Sequence, residues 1–233
     1  SEAVRTRDHS EQALKAFGAT LTREGDTLSI AGGQKLHAID AAVPGDISSA
    51  AFFLAAALLF TDTNLVLDAL GLNPTRSALL DVITALGGKI KVLTVEEHHG
   101  ELIGTVQVNR ESQVRSAAPF VISGALTAQV IDELPVLAAV APFTVNWLIL
   151  RDAQELRVKE SDRVGASAAN LRALGIEFDE GPDWLRVTPG TPREGVRLPT
   201  FDDHRMAMAF SLIGARVPVE LEDPEVVAKT CPE

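Results

Sequence analysis

The chain has 233 residues, a single cysteine, and 21 Lys+Arg against 32 Asp+Glu, a formal charge of −11. That balance excludes general attachment to nucleic acid or anionic membranes through net charge, and leaves any anionic ligand to a local cluster of cations. The lone Cys231 excludes an intrachain disulfide framework and a Cys-based zinc site, and it fits a reducing, cytoplasmic compartment.

Taken in chain order, Leu14 to Gly18 ends a helix that runs into ATLTREGDTLSIAG, a strand pair turning at Glu24-Gly25-Asp26. Asp46-Ile-Ser-Ser then opens an apolar helix, AAFFLAAALLF. Its run from Ala50 to Phe60 is far short of the roughly 20 residues a membrane helix needs, so it reads as core. A strand NLVLDAL follows, a second helix starts after Pro74-Thr-Arg and ends at Gly87, and the stretch Lys89 to Val108 forms a hairpin around His99-Gly100. The same grammar returns. Asp132-Glu opens LPVLAAVA, TVNWLIL is a strand, Lys159-Glu-Ser-Asp opens the helix ending at Gly175, and IEFDEGPDWLRVTPG turns at Glu180-Gly181-Pro182. Asp203-His-Arg opens MAMAFSLIGA, followed by VPVELED and Pro224. The acids suit N-caps, and Gly18, Gly87 and Gly175 suit helix ends that need a left-handed backbone.

The chain therefore reads as an α/β protein of repeated helix-strand-helix-hairpin units, about two and a half after Pro44 and half a unit before it. Residues 1–41 are expected to be the tail of an upstream domain and 42–233 a second domain truncated in its last repeat. A start at Ser1 fits processing or a piece of a longer protein; one irregular α/β domain with frayed ends is the alternative. His98 and His99 read as a solvated turn, not a metal pair. Trp147, alternating with Val145 and Ile149, reads as core, and Trp184 as hairpin packing. No phosphate-binding P-loop, dinucleotide fingerprint or Gly-x-Ser-x-Gly is present, and no cofactor or metal is called for.

Cations stand where helices do not favour them. A helix N-terminus carries about half a positive charge. Yet Lys159 and Arg163 lie at i,i+4 near the start of one helix, Arg205 two residues after Asp203, and Lys229 in the second turn after Pro224. An anionic ligand would resolve this, with amide hydrogens, dipole and cations converging on a phosphate or carboxylate. Surface ion pairs of Arg163 with Glu160, Arg205 with Asp202 and Lys229 with Glu225 are the plainer account. Glu160 and Asp132 stand beside these cations, and two carboxylates facing a bound dianion would serve as acid and base. Simple N-capping is the plainer reading of Asp46, Asp132 and Asp203, and for Asp46 it is at least as good as function; Glu133 follows Asp132, so one of that pair is spare.

At these residues the sequence closely resembles the 5-enolpyruvylshikimate-3-phosphate synthase family. The resemblance is carried by Val-Pro-Gly-Asp-Ile-Ser-Ser-Ala (43–50), Asp-Glu-Leu-Pro-Val-Leu-Ala (132–138) and Leu-Arg-Val-Lys-Glu-Ser-Asp-Arg (156–163). Asp-Asp-His-Arg-Met-Ala-Met (202–208), Ala-Lys-Thr-Cys-Pro-Glu (228–233) and Thr-Arg-Asp-His-Ser-Glu (6–11) add to it. It runs through the whole chain and matches the C-terminal part of the family, including the tail of its first domain. It implies two domains of three repeated units each, an inside-out α/β barrel, closing around shikimate 3-phosphate and phosphoenolpyruvate, with the N-terminal portion absent here or supplied as a separate chain. Carried over by position, it implies Asp132 as the base near the 5-hydroxyl, Lys159 as a bridge between the substrates and Glu160 as proton donor to the methylene carbon. Arg163, Arg205 and Lys229 would clamp phosphoenolpyruvate, and Arg7 would contact the sugar-acid phosphate. Glu155 stands where some relatives carry Asn. The related transferase acting on UDP-N-acetylglucosamine and a catalytically silent binding or assembly half remain the alternatives.

Overall fold

The computed structural model describes residues 7–110, 118–144 and 147–230. The expectations for Val145 and Cys231 lie outside them. The chain opens with α1 (His9–Ala16) and a small antiparallel hairpin, β1 (Leu21–Glu24) and β2 (Thr27–Ile30). The first full unit is α2 (Ile47–Ala57), β3 (Thr63–Gly71), α3 (Ala78–Ala85), β4 (Lys89–His98) and β5 (Glu101–Arg110). The second begins with β6 (Phe120–Ile122), α4 (Ala125–Gln129) and a 3₁₀ turn at Ile131–Glu133 that leads directly into α5 (Leu134–Thr144). It continues through β7 (Leu148–Leu150), a 3₁₀ turn at Gln154–Val158, α6 (Arg163–Ala173), β8 (Phe178–Glu180) and β9 (Leu185–Val187). The last comprises β10 (Val196–Leu198), α7 (His204–Ser211), β11 (Val219–Leu221) and 3₁₀ segments at Leu212–Ala215 and Pro224–Lys229.

The repeat is visible in the pairing. In the first unit β3 pairs antiparallel with β5, which pairs with β4; in the second, β7 pairs antiparallel with β9, which pairs with β8. A feature the sequence reading missed completes the pattern: each unit starts with a short extended piece parallel to the strand after its first helix. These are β6 beside β7, β10 beside β11, and a single bridge from Gly45 to Leu70. Three residues or fewer give no periodicity to read. Among the described residues the strands form four separate sheets, of order β1-β2, β10-β11, β3-β5-β4 and β6-β7-β9-β8.

The helices form the inside. Every residue of α5 is buried, and α5 contacts α2, α6 and α7. Leu54, Leu58, Leu134, Leu137, Leu171 and Phe210 are fully enclosed in one continuous cluster, each contributing about 1.5–3 kcal/mol by its removal from water. The strands cover this cluster; β5 alternates buried and half-buried side chains, so one sheet face meets the helices. The expected helix ends hold, with φ of +92° at Gly18, +101° at Gly87 and +71° at Gly175.

Residues 7–41 differ. α1 buries no residue, and Phe17, Leu28 and Ile30 are exposed. Polar bonds tie the segment down: Asn73 Nδ2 donates to the buried Asp8 Oδ1 at 2.7 Å, and His9 Nδ1 lies 2.7 Å from Glu101 Oε1. Trp147 corrects an expectation. It is 43% exposed, lying one residue ahead of β7, with the Arg186 guanidinium 5.3 Å from its ring centre. At a strand end alternation no longer fixes which side is inward.

Candidate functional site

Asp132 is the meeting point. It lies in the 3₁₀ turn before α5, so it does not cap that helix as expected; its side chain projects instead among cations from four places in the sequence. Arg7 Nη2 is 2.6 Å from Asp132 Oδ2, Arg163 Nη1 3.5 Å and Lys159 Nζ 3.6 Å from Oδ1, and Arg205 Nη2 4.0 Å from Oδ2. Burial alone would raise this carboxyl's pKa. The charge of Arg205, the hydrogen bond from Arg7 and the charge of Lys159 outweigh burial and hold it below the ordinary carboxylate range.

The cations reach this point by different routes, and two of the expected placements need correction. Lys159 is not in a helical first turn. It follows the Gln154–Val158 turn with an extended backbone, where Nζ pairs with Glu155 and faces Asp132. The like charges of Lys159 and Arg163 are thus tolerated because both are aimed at one carboxylate. Lys229 ends its 3₁₀ segment, the favourable end for a cation, and its Nζ donates to Asp202 at the carbonyl (3.0 Å) and at Oδ1 (2.5 Å), not to Glu225.

Arg163 is the first residue of α6 and its side chain is 1% exposed. Such burial requires full pairing. Nε donates to Asp203 Oδ2 at 2.8 Å, Nη2 to Glu160 Oε2 at 2.5 Å, and Nη1 faces Asp132. Its pairing with Glu160 is the one expected surface pair that forms, although only the Glu160 end is exposed. Arg205 departs from expectation: its Nη1 donates to the Asp132 carbonyl at 3.1 Å and lies 4.0 Å from Glu133 Oε1, and Asp202 takes no part.

Asp203 caps α7 as expected, accepting from Arg205 N at 2.9 Å, but it also accepts from Ser161 Oγ at 2.8 Å and anchors Arg163. Burial pushes its pKa up, and the hydrogen bond and charge of Arg163 more than reverse that. It is delivered by a four-residue turn closed by Asp203 N–H to the Thr200 carbonyl at 3.1 Å, with φ of +58° at Phe201 and +54° at Asp202. Two consecutive non-glycine residues in the left-handed region cost on the order of 1–3 kcal/mol each, so strain is spent beside Asp203, His204 and Arg205. His204, next to this cap, has its pKa lowered first by burial, with Arg205 and Arg163 adding to that against Asp203 and Glu160.

The structure thus brings Arg7, Asp132, Lys159, Glu160, Arg163 and Arg205 into one contiguous network, with Lys229 beside it through the Asp202 turn. Sequence reasoning missed the bonding roles of Asp203, Ser161 and Glu133. Asp203 had a signal, as an N-cap followed by a cation; Ser161 sits inside the most specific motif; and Glu133 reads from sequence only as the spare neighbour of Asp132. The arrangement holds a dense cation cluster against carboxylates, a setting able to hold an anion and to exchange a proton. Among the described residues no group of His, Cys, Asp and Glu suits a metal ion, and no helix is long and apolar enough to cross a membrane.

Comparison with known proteins identifies the family. The profile of the family described as EPSP synthase (3-phosphoshikimate 1-carboxyvinyltransferase) matches residues 3–233. The chain is 50% identical over 234 aligned residues to the 3-phosphoshikimate 1-carboxyvinyltransferase of Koribacter versatilis, covering all of this chain and 54% of that protein. It is 45% identical to that of Thermus thermophilus, covering 96% and 51%. The EPSP synthase structure from Acinetobacter baumannii superposes with a TM-score of 0.90 at 32% identity, covering all of this chain and 54% of that one. The enolpyruvyl transferase NikO from Streptomyces tendae shares the fold, with a TM-score of 0.70 at 21% identity over 94% of this chain and 49% of that one. The chain spans about half the length of the curated relatives it matches. With a family profile covering nearly every residue and the motif residues gathered at one place, this chain belongs to the EPSP synthase family.

Proposed function

We propose that this chain supplies one wall of the cleft of a 3-phosphoshikimate 1-carboxyvinyltransferase, working in the cytoplasm on shikimate 3-phosphate and phosphoenolpyruvate. The observation that carries the reading is the convergence of Arg7, Lys159, Arg163 and Arg205 on Asp132, with Glu160 bonded to the same guanidinium as Asp132 faces. In the reaction, the oxygen of the 5-hydroxyl bonds to C2 of phosphoenolpyruvate while its proton leaves and C3 gains one. The C2–O bond to phosphate then breaks, C3 gives a proton back, and inorganic phosphate departs.

Asp132 serves as acceptor of the hydroxyl proton and Glu160 as donor to C3. Lys159 bridges the two substrates, Arg205, Arg163 and Lys229 hold the anionic groups of phosphoenolpyruvate, and Arg7 holds the phosphate of the sugar acid. The low proton affinity of Asp132 fits this scheme through its cause. Cations hold it down in the unliganded state, and anionic substrates that share those cations restore basicity as they bind.

Residues 1–41 belong, in this reading, to the opposite domain. The exposed Phe17, Leu28 and Ile30 are expected to be covered by the portion of the family's length that this chain does not span. The test is reconstitution. The 233-residue chain alone is expected to release no phosphate from the two substrates, because a water-excluded site needs both walls. Joined to or mixed with the first-domain sequence it should turn over. Activity of the purified chain alone, with mass spectrometry showing a single polypeptide, would overturn the half-cleft reading; an inactive complete protein that is folded would overturn the assigned reaction.

A further inference from the structure

Glu133 is a buried carboxylate that the proposed chemistry does not use. Its side chain is 2% exposed, and it accepts from Ser48 Oγ at 2.5 Å, in the first turn of α2. Arg76, from the turn before α3, bonds the same Ser48 hydroxyl and places Nη2 3.6 Å from Glu133 Oε1. Arg205 Nη1 lies 4.0 Å from that oxygen on the other side while donating to the carbonyl of Asp132. Four elements from all three units meet at one side chain. The guanidinium of Arg205 therefore lies between consecutive acids, Asp132 on the partly exposed side and Glu133 in the interior.

We infer that Glu133 is a positioning residue: anchored to Ser48 and Arg76, it fixes the Arg205 guanidinium and the 3₁₀ turn that presents Asp132. A buried carboxylate is costly unless fully paired, and here each partner is itself buried or fixed in a helix start, so the pairs form a rigid strut instead of a solvated one. Val130 O accepts from the Glu133 amide at 3.0 Å, which ties the strut to the turn's backbone. The anion-holding part of this role rests on the function proposed above; the fixing of Arg205 does not.

The two are separable by experiment. In the 233-residue chain labelled at arginine, hindered rotation of a fixed guanidinium should keep the two Nη signals of Arg205 distinct by NMR, with no ligand added. In Glu133→Gln they should merge, and in Ser48→Ala, which keeps the charge but cuts the anchor, they should broaden. A second measurement uses inorganic phosphate as the probe. Removal of a negative charge by itself would strengthen phosphate binding, whereas loss of positioning should weaken it about tenfold in Glu133→Gln, with Glu194→Gln, remote from the cluster, as the charge control. Distinct Arg205 signals in both variants, or phosphate bound as tightly or more tightly by folded Glu133→Gln, would overturn the assignment. Should wild type bind no phosphate, the anion-site reading fails while the NMR comparison still decides whether Glu133 fixes Arg205.

Discussion

The starts of α2 and α5 occupy equivalent places in successive units, and each has an acid just ahead of an apolar helix, yet the two acids do different things. Asp46 has an extended backbone and accepts from the amides of Ser48 and Ser49 at 3.1 Å, an ordinary N-cap at the surface. Asp132 makes no such bond. Ahead of α5 the chain inserts a 3₁₀ turn, and the acid within it is turned out toward Arg7, Lys159, Arg163 and Arg205. Since the first-turn amides are not its partners, its charge is left to those four cations. Asp203 is intermediate: it caps α7 and also anchors the buried Arg163. One turn of backbone thus separates an acid that stabilises a helix from one turned to a cluster of cations.

The sharpest way to break this contrast is at Asp132 itself. In a complete two-domain protein, Asp132→Asn should lower turnover by about two to four orders of magnitude, the usual range for a lost acid-base group, and Glu160→Gln should do the same with shikimate 3-phosphate affinity nearly intact. Steady-state kinetics on folded variants decides this; turnover within threefold of wild type would return Asp132 to the same class as Asp46.

A smaller effect is expected at Arg205. Arg205→Ala should weaken phosphoenolpyruvate by about 1.5–3 kcal/mol, roughly 10- to 150-fold in its dissociation constant, by loss of a charge-assisted contact. From the dipole alone the fold would gain a little on losing this cation. Its bonds to the Asp132 carbonyl and toward Glu133 reverse that sign, so a modest loss of melting temperature should accompany the binding defect. Unchanged phosphoenolpyruvate binding together with a large fall in melting temperature would make Arg205 structural only.

The smallest effect belongs to the other side of the comparison. Asp46→Ala removes two amide partners at an exposed cap and should cost about 0.5–2 kcal/mol. At this chain length each kcal/mol moves the melting temperature by about 2–4 °C. Calorimetry reads it, and turnover per folded molecule should stay near wild type. A hundredfold loss of turnover with an unchanged melting temperature would place Asp46 in the chemistry and erase the distinction.

The amino-acid sequence by itself determined the repeat, the helix starts at Asp46 and Asp203, the helix ends at Gly18, Gly87 and Gly175, and the residue types of the site. These follow from local rules, since capping, left-handed turns and apolar periodicity act over a few residues. It also marked Arg163 and Arg205 as misplaced for stability, because a helix dipole acts within one turn. The rest was decided by tertiary structure. No local rule states that Lys159 and Arg163 share Asp132 instead of repelling one another, that Lys229 is held by Asp202, or that Trp147 lies at a strand end facing solvent. The spare carboxylate beside Asp132 is the clearest instance: whether Glu133 points to water or to Ser48 and Arg76, 85 and 57 residues away, depends on which elements pack behind it, and burial and pairing are properties of the folded neighbourhood, not of the chain.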